Sequence, residues 1–156
     1  RNDEIKMDVV ASFDKIIFSP GPSLPIQSGQ LLDVIEAFHK QIPMFGVCLG
    51  FQALVEFFGG ELINLEPVRH GEAKKISVVN SNLFQGLKDN IEVGLYHSWG
   101  VNINSMPDGL EILAFDSDRI VMAFKHTQYN LTGVQFHPES VMTPNGKQIL
   151  ENWIKK

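Results

Sequence analysis

Phe45-Gly46-Val47-Cys48-Leu49-Gly50-Phe51-Gln52 is the stretch that decides the fold. The apolar run from Met44 to Val47 predicts a short buried strand. From Leu49 onward, Ala53, Leu54, Phe57 and Phe58 recur at helical spacing. A strand therefore ends, and a helix begins, at Cys48. The spacing Gly46-x-Cys48-x-Gly50 is that of the G-x-S-x-G nucleophile elbow, with a thiol in place of the hydroxyl. So sharp a turn needs neighbours without bulk, which Gly46 and Gly50 supply. Cys48 is thereby set at a helix N-terminus, where unpaired N–H groups and the macrodipole favour an anion. The thiolate is the reactive form of cysteine, so this placement predicts an activated sulfur. A lone cysteine is more often a small buried hydrophobe. The elbow by itself leaves both readings open.

Upstream, Lys15 to Ser19 predicts a strand through the continuous apolar residues Ile16, Ile17 and Phe18, the pattern of a strand covered on both faces. Ser19-Pro20-Gly21-Pro22 ends it in a stiff loop. Ser28 is the expected N-cap of a helix to about Lys40, with Leu31, Leu32, Ile35 and Phe38 on its apolar face, and Pro43 closes the unit. Strand, loop, helix, strand and helix in this order predict a parallel sheet with right-handed crossovers. After Gly59-Gly60 the character changes. Glu61 to Leu65, Lys75 to Val79, Glu92 to Tyr96, Glu111 to Phe115 and Val121 to His126 read as short strands between polar turns. Leu131 to Phe136 follows as another strand. Gly146 to Lys156 is the expected closing helix, with Ile149, Leu150, Trp153 and Ile154 inward. The predicted class is α/β: a mostly parallel sheet flanked by helices, with some antiparallel strands in the second half.

Bulk properties narrow the function. The chain has 156 residues, enough for one domain with a real core. Hydrophobic residues make up 44% and charged residues 20%, an ordinary globular balance. The net charge of −5 and the lack of any Lys/Arg run argue against a nucleic-acid surface. One cysteine rules out an internal disulfide and suits a cytoplasmic protein. No apolar run reaches membrane-spanning length and no signal-peptide pattern opens the chain, so no membrane association is expected. Asn130-Leu131-Thr132 matches the glycosylation triplet by chance. The sequence opens at Arg1 without a methionine, which reads as a fragment or as a record of ordered residues only.

A cysteine nucleophile needs a base, and the base needs a group to orient it. Five histidines are present. His39 is expected on a solvated helix face, and His70, His97 and His126 fit structural roles near strands and loops. His137 differs. It follows the run Gly133-Val134-Gln135-Phe136, and Glu139 comes two residues later. On an extended strand, residues two apart point to the same side, so Glu139 can accept a hydrogen bond from the His137 ring. Ligands bind at the carboxyl ends of parallel strands, where both Cys48 and His137 are expected. The backbone N–H of Leu49, just after the nucleophile, suits an oxyanion. Gly21, at another strand end on the same edge, offers a second N–H.

Taken together, Gly46-Val47-Cys48-Leu49-Gly50-Phe51-Gln52 and Gly133-Val134-Gln135-Phe136-His137-Pro138-Glu139-Ser140 resemble the class I, triad-type glutamine amidotransferases. Ser19-Pro20-Gly21-Pro22, His70-Gly71 and Tyr96-His97-Ser98 are similar to one branch of that family, the glutaminase subunits of anthranilate synthase and aminodeoxychorismate synthase. The resemblance runs from Arg1 to the C-terminus. It implies a flavodoxin-like fold and a triad of Cys48, His137 and Glu139. It implies glutamine contacts from Gly21, Pro22, Ser23, Leu49, Gln52, Ser98 and Trp99. It also implies hydrolysis of L-glutamine, with ammonia passed through a channel to a chorismate-using synthase partner, and no metal or organic cofactor. Subunits serving GMP or carbamoyl phosphate synthesis, or a non-catalytic binding subunit of the same fold, are the alternatives. Two residues depart from the family pattern: Ser23 stands where a second glycine is usual, and Phe51 where histidine is common. The family also has a strand and a helix ahead of the point matching Arg1. Without that central strand a doubly wound sheet exposes an unpaired edge, so these residues are expected to be missing from the sequence.

Overall fold

The strand Met44–Val47 sits between two layers of helix and is buried along its whole length. The computed structural model of the chain describes residues 4–155. In chain order its elements are α1 (Met7–Val10), β1 (Ile16–Phe18), α2 (Leu31–Phe38), β2 (Met44–Val47), α3 (Leu49–Phe57), β3 (Ile63–Asn64), β4 (Glu72–Val78), β5 (Asn90–Leu95), β6 (Trp99–Gly100), β7 (Leu110–Phe115), β8 (Val121–His126), β9 (Leu131–Val134) and α4 (Gly146–Ile154). Seven strands form one sheet in the order β1-β2-β9-β8-β7-β4-β5. The β1–β2 and β2–β9 pairs are parallel. The four pairs from β9 through β8, β7 and β4 to β5 are antiparallel. The α/β class is thus as expected, with the parallel strands carrying the elbow and the antiparallel strands in the second half. A small antiparallel pair, β3 with β6, stands apart.

Alternation along β2 divides the core. Met44 joins a cluster with Val34 and Ile35 of α2 and Leu54 of α3. Phe45 and Val47 point the other way, toward Ile149 and Trp153 of α4. The rings of Phe45 and Trp153 lie 5.2 Å apart. Phe45 is fully buried, which contributes roughly 1.5–3 kcal/mol from removal of its surface from water.

Several placements differ from expectation. The helix predicted from Ser28 begins at Leu31, because Pro25 starts a 3-10 turn over Pro25–Gln27 and Gly29, at φ 57°, breaks the chain after it. The Ser28 hydroxyl donates back to the Leu24 carbonyl at 3.0 Å and does not cap the helix. In α4, Ile149 and Trp153 are buried, but Ile154 is 55% exposed. Five residues on from Ile149, it has rotated off the inward face. β9 ends at Val134, and the chain turns before His137. His39, expected in solvent, instead donates from Nδ1 to the Ile35 carbonyl and meets the rings of Phe57, Phe58 and Tyr129 edge-on.

Candidate active site

Parallel pairing brings the carboxyl ends of β1, β2 and β9 to one edge. Val47 lies opposite Val134, and the Cys48 N–H donates to the Val134 carbonyl at 2.9 Å. Cys48 itself adopts φ 51° and ψ −98°. A side chain rarely tolerates such a backbone, and holding it there costs on the order of 1–3 kcal/mol. The neighbours leave it no alternative. A Cβ on Gly46 would lie 2.4 Å from the Gly50 carbonyl, and one on Gly50 would lie 2.5 Å from the Phe18 Cβ. Only glycine lets β2, the start of α3 and the end of β1 come so close.

The thiol is only 6% exposed. Burial is the largest influence on it and raises its pKa to about 11. The Leu49 N–H, hydrogen-bonded to the sulfur, opposes this, as does the Gln135 side chain, while the Glu139 carboxylate adds to the rise. The expected activated sulfur is therefore corrected. In the free chain desolvation outweighs the Leu49 N–H and the Gln135 side chain, and burial favours the neutral thiol.

From β1 the chain crosses the elbow. A Cβ on Gly21 would lie 2.7 Å from the Leu49 side chain, so the second residue expected to donate an N–H is laid directly on the first. Gly21, Pro22 and Ser23 are exposed there. Ser23 has φ 70°, a left-handed conformation, which is the physical reason a glycine suits that position. An open groove of about 760 Å³ begins at Gly21, Pro22, Ser23 and Leu49 and follows β1 to Phe13.

His137 and Glu139 do meet, by a different route from the one predicted. They lie in a turn, not on a strand. The His137 Nδ1–H donates to Glu139 Oε1 at 2.7 Å. The other ring nitrogen, Nε2, has no hydrogen-bond partner among the described residues although it is shielded from water. The Thr143 hydroxyl holds the turn, donating to the His137 carbonyl at 2.6 Å while accepting from the Gly94 N–H at 3.0 Å. Tyr96 packs edge-on against the His137 ring, with centroids 4.9 Å apart.

Gln52 and Trp99, both expected to touch glutamine, contact each other. Gln52 Nε2 donates to the Trp99 carbonyl at 2.9 Å and to Gln135 Oε1 at 3.1 Å. Ser98 and Trp99 are half-buried beside His97, whose Nδ1–H donates to the same Trp99 carbonyl at 2.8 Å. Burial lowers the His97 pKa to about 4, so this ring is neutral. Phe51, which stands where histidine is common in the family, is fully buried against Phe124. Gln135 and Tyr96 were not among the expected site residues. The signal for Gln135 was present: one amide in the apolar run Leu131 to Phe136.

A family model for class I glutamine amidotransferases matches residues 1–156. The chain is 44% identical to a candidate anthranilate synthase component II of Haemophilus influenzae, over 97% of this chain and 79% of that protein. It is 38% identical to the aminodeoxychorismate/anthranilate synthase component 2 of Bacillus subtilis, over 99% of this chain and 81% of that one. A crystal structure of a candidate GMP synthase subunit from Thermoplasma acidophilum superposes with a TM-score of 0.86 at 28% identity, covering 99% of this chain and 77% of that one. With a strand-to-helix elbow, a lone cysteine at its apex and a matching family model over the whole chain, the protein belongs to the class I glutamine amidotransferases.

Proposed function

We propose that the chain is a glutaminase subunit that hydrolyses L-glutamine to glutamate and ammonia with Cys48, His137 and Glu139 as its triad. The observation that carries this reading is the Cys48 backbone, held at φ 51° at the end of β2, whose neighbour β9 leads into the turn that pairs His137 with Glu139. The buried thiol gives its proton to His137 Nε2 as the sulfur attacks the amide carbon of the glutamine side chain. The N–H groups of Leu49 and Gly21 receive the developing oxyanion. His137 then protonates the departing ammonia, leaving a γ-glutamyl thioester on Cys48. Water, deprotonated by the same nitrogen, releases glutamate and restores the thiol. Glu139 keeps the His137 proton on Nδ1, so that Nε2 remains the working atom.

Gly21, Pro22, Ser23, Ser98 and Trp99 bind the rest of glutamine in this reading, and Gln52 contributes by holding the Trp99 carbonyl. The ammonia passes to the large subunit of a chorismate-using synthase, in the cytoplasm. Relatives named for anthranilate and aminodeoxychorismate synthesis, at 44% and 38% identity, support this partner over the GMP-type likeness at 28%. Glutamine turnover, followed as ammonia release, should be slow for the chain alone and rise with the cognate large subunit. The subunit that stimulates it identifies the pathway. Full turnover alone, with no binding to either type of large subunit, would leave a free-standing amidase.

A further inference from the structure

A chain of buried amides runs from Trp99 to the nucleophile. The Trp99 carbonyl can only accept, so Gln52 must present its NH₂ there. The same NH₂ donates to the side chain of Gln135, which must therefore turn its carbonyl oxygen toward Gln52. Gln135 is fully buried and cannot flip to water. Its own NH₂ is consequently directed away from Gln52, and among the described residues it makes no hydrogen bond of normal geometry. A buried amide left in that condition costs about 1–3 kcal/mol. The strand register says what lies beside it. Val47 pairs with Val134, so the next residues along the two chains are Cys48 and Gln135.

We propose that Gln135 is a further residue of the reaction centre, its side-chain NH₂ donating to the Cys48 sulfur and stabilising the anion during attack and thioester breakdown. The amide would supply the sulfur with a donor in place of the water that burial removes. Its direction is set at a distance, through Gln52, by a backbone carbonyl that the neutral His97 ring also holds. The direction in which Gln135 shifts the thiol, downward, agrees with this arrangement. The inference rests on Cys48 being the nucleophile, but it can be tested without glutamine.

Cys48 is the sole cysteine, so alkylation by iodoacetamide reports on one sulfur. Gln135→Met keeps the length of the side chain and removes the donor. Its labelling rate at pH 8 should fall about tenfold, the equivalent of one pKa unit, at an unchanged melting temperature. Gln135→Asn withdraws the donor and should label at a similarly reduced rate. In the wild-type protein, the side-chain NH₂ resonance of Gln135 should follow the titration of Cys48 and lose that response in Cys48→Ala. This last measurement decides the matter if the variants fail to fold. Labelling at the wild-type rate in folded Gln135→Met, or a resonance indifferent to Cys48, would overturn the proposal. Slow labelling in a chain that never hydrolyses glutamine would retain Gln135 and remove the glutaminase reading.

Discussion

Cys48 is held in a backbone conformation that its own side chain disfavours, and the strain has a measurable sign. Cys48→Ala keeps the Cβ and the strain, whereas Cys48→Gly relieves it, so the glycine variant should be the more stable by about 1 kcal/mol in thermal unfolding. Both variants should lack glutamine turnover. His97 makes a second prediction at this scale. Its pKa is lowered from 6.5 to about 4 by burial, so between those values the unfolded chain binds a proton that the folded chain does not. Folding stability contributed by the neutral ring is complete above pH 6.5 and is lost as pH falls toward 4, by up to about 3 kcal/mol. His97→Asn, which can still donate to the Trp99 carbonyl, should flatten that part of the stability–pH curve relative to wild type. Much of this was legible in single residues, because Gly46, Cys48 and Gly50 carry the elbow in their spacing. The state of the thiol was not. Its pKa depends on burial by the rest of the core, which no local pattern contains.

At the scale of elements, the sequence identified the right pair of residues on the wrong backbone. His137 and Glu139 were expected to align through strand alternation, yet β9 stops at Val134 and a turn through Pro138 brings them together. Alternation and this turn give the same pairing, so the residues alone could not separate them. The turn depends on Thr143, which is buried and accepts from Gly94 while donating to His137. Thr143→Val should leave the Gly94 N–H unsatisfied and cost about 1–3 kcal/mol in denaturant unfolding. Because it also frees the His137 backbone, turnover should fall with it. Unchanged stability would show that the hydroxyl does not hold the turn. The misplaced start of α2 has a similar origin. Ser28 is a good capping residue, but Pro25 and Gly29 fix a 3-10 turn first, and its hydroxyl is already committed to Leu24.

Across the whole molecule, the parallel strands β1, β2 and β9 bring their carboxyl ends, which lead to the proposed nucleophile, oxyanion donors and base, to one edge, while the antiparallel strands continue the same sheet beyond β9. The division into a βαβ half and a short-strand half was legible from the change of pattern after Gly59-Gly60. The strand order was not, because the pairing of β9 with β2 joins residues 131–134 to residues 44–47, far outside any local window. The same long-range pairing sets the end of β9, three residues before His137, against the end of β2, where the elbow begins. A glutamyl thioester on Cys48 is the species that only this arrangement would produce. It can be sought by acid-quenching the protein during glutamine turnover with its large subunit, then measuring the intact mass and mapping the peptides. Glutamine-dependent mass on the peptide containing Cys48, absent in Cys48→Ser and long-lived in His137→Ala if any forms, is the expected result. Wild-type turnover in Cys48→Ser, or a glutamyl group carried on any other residue, would contradict it.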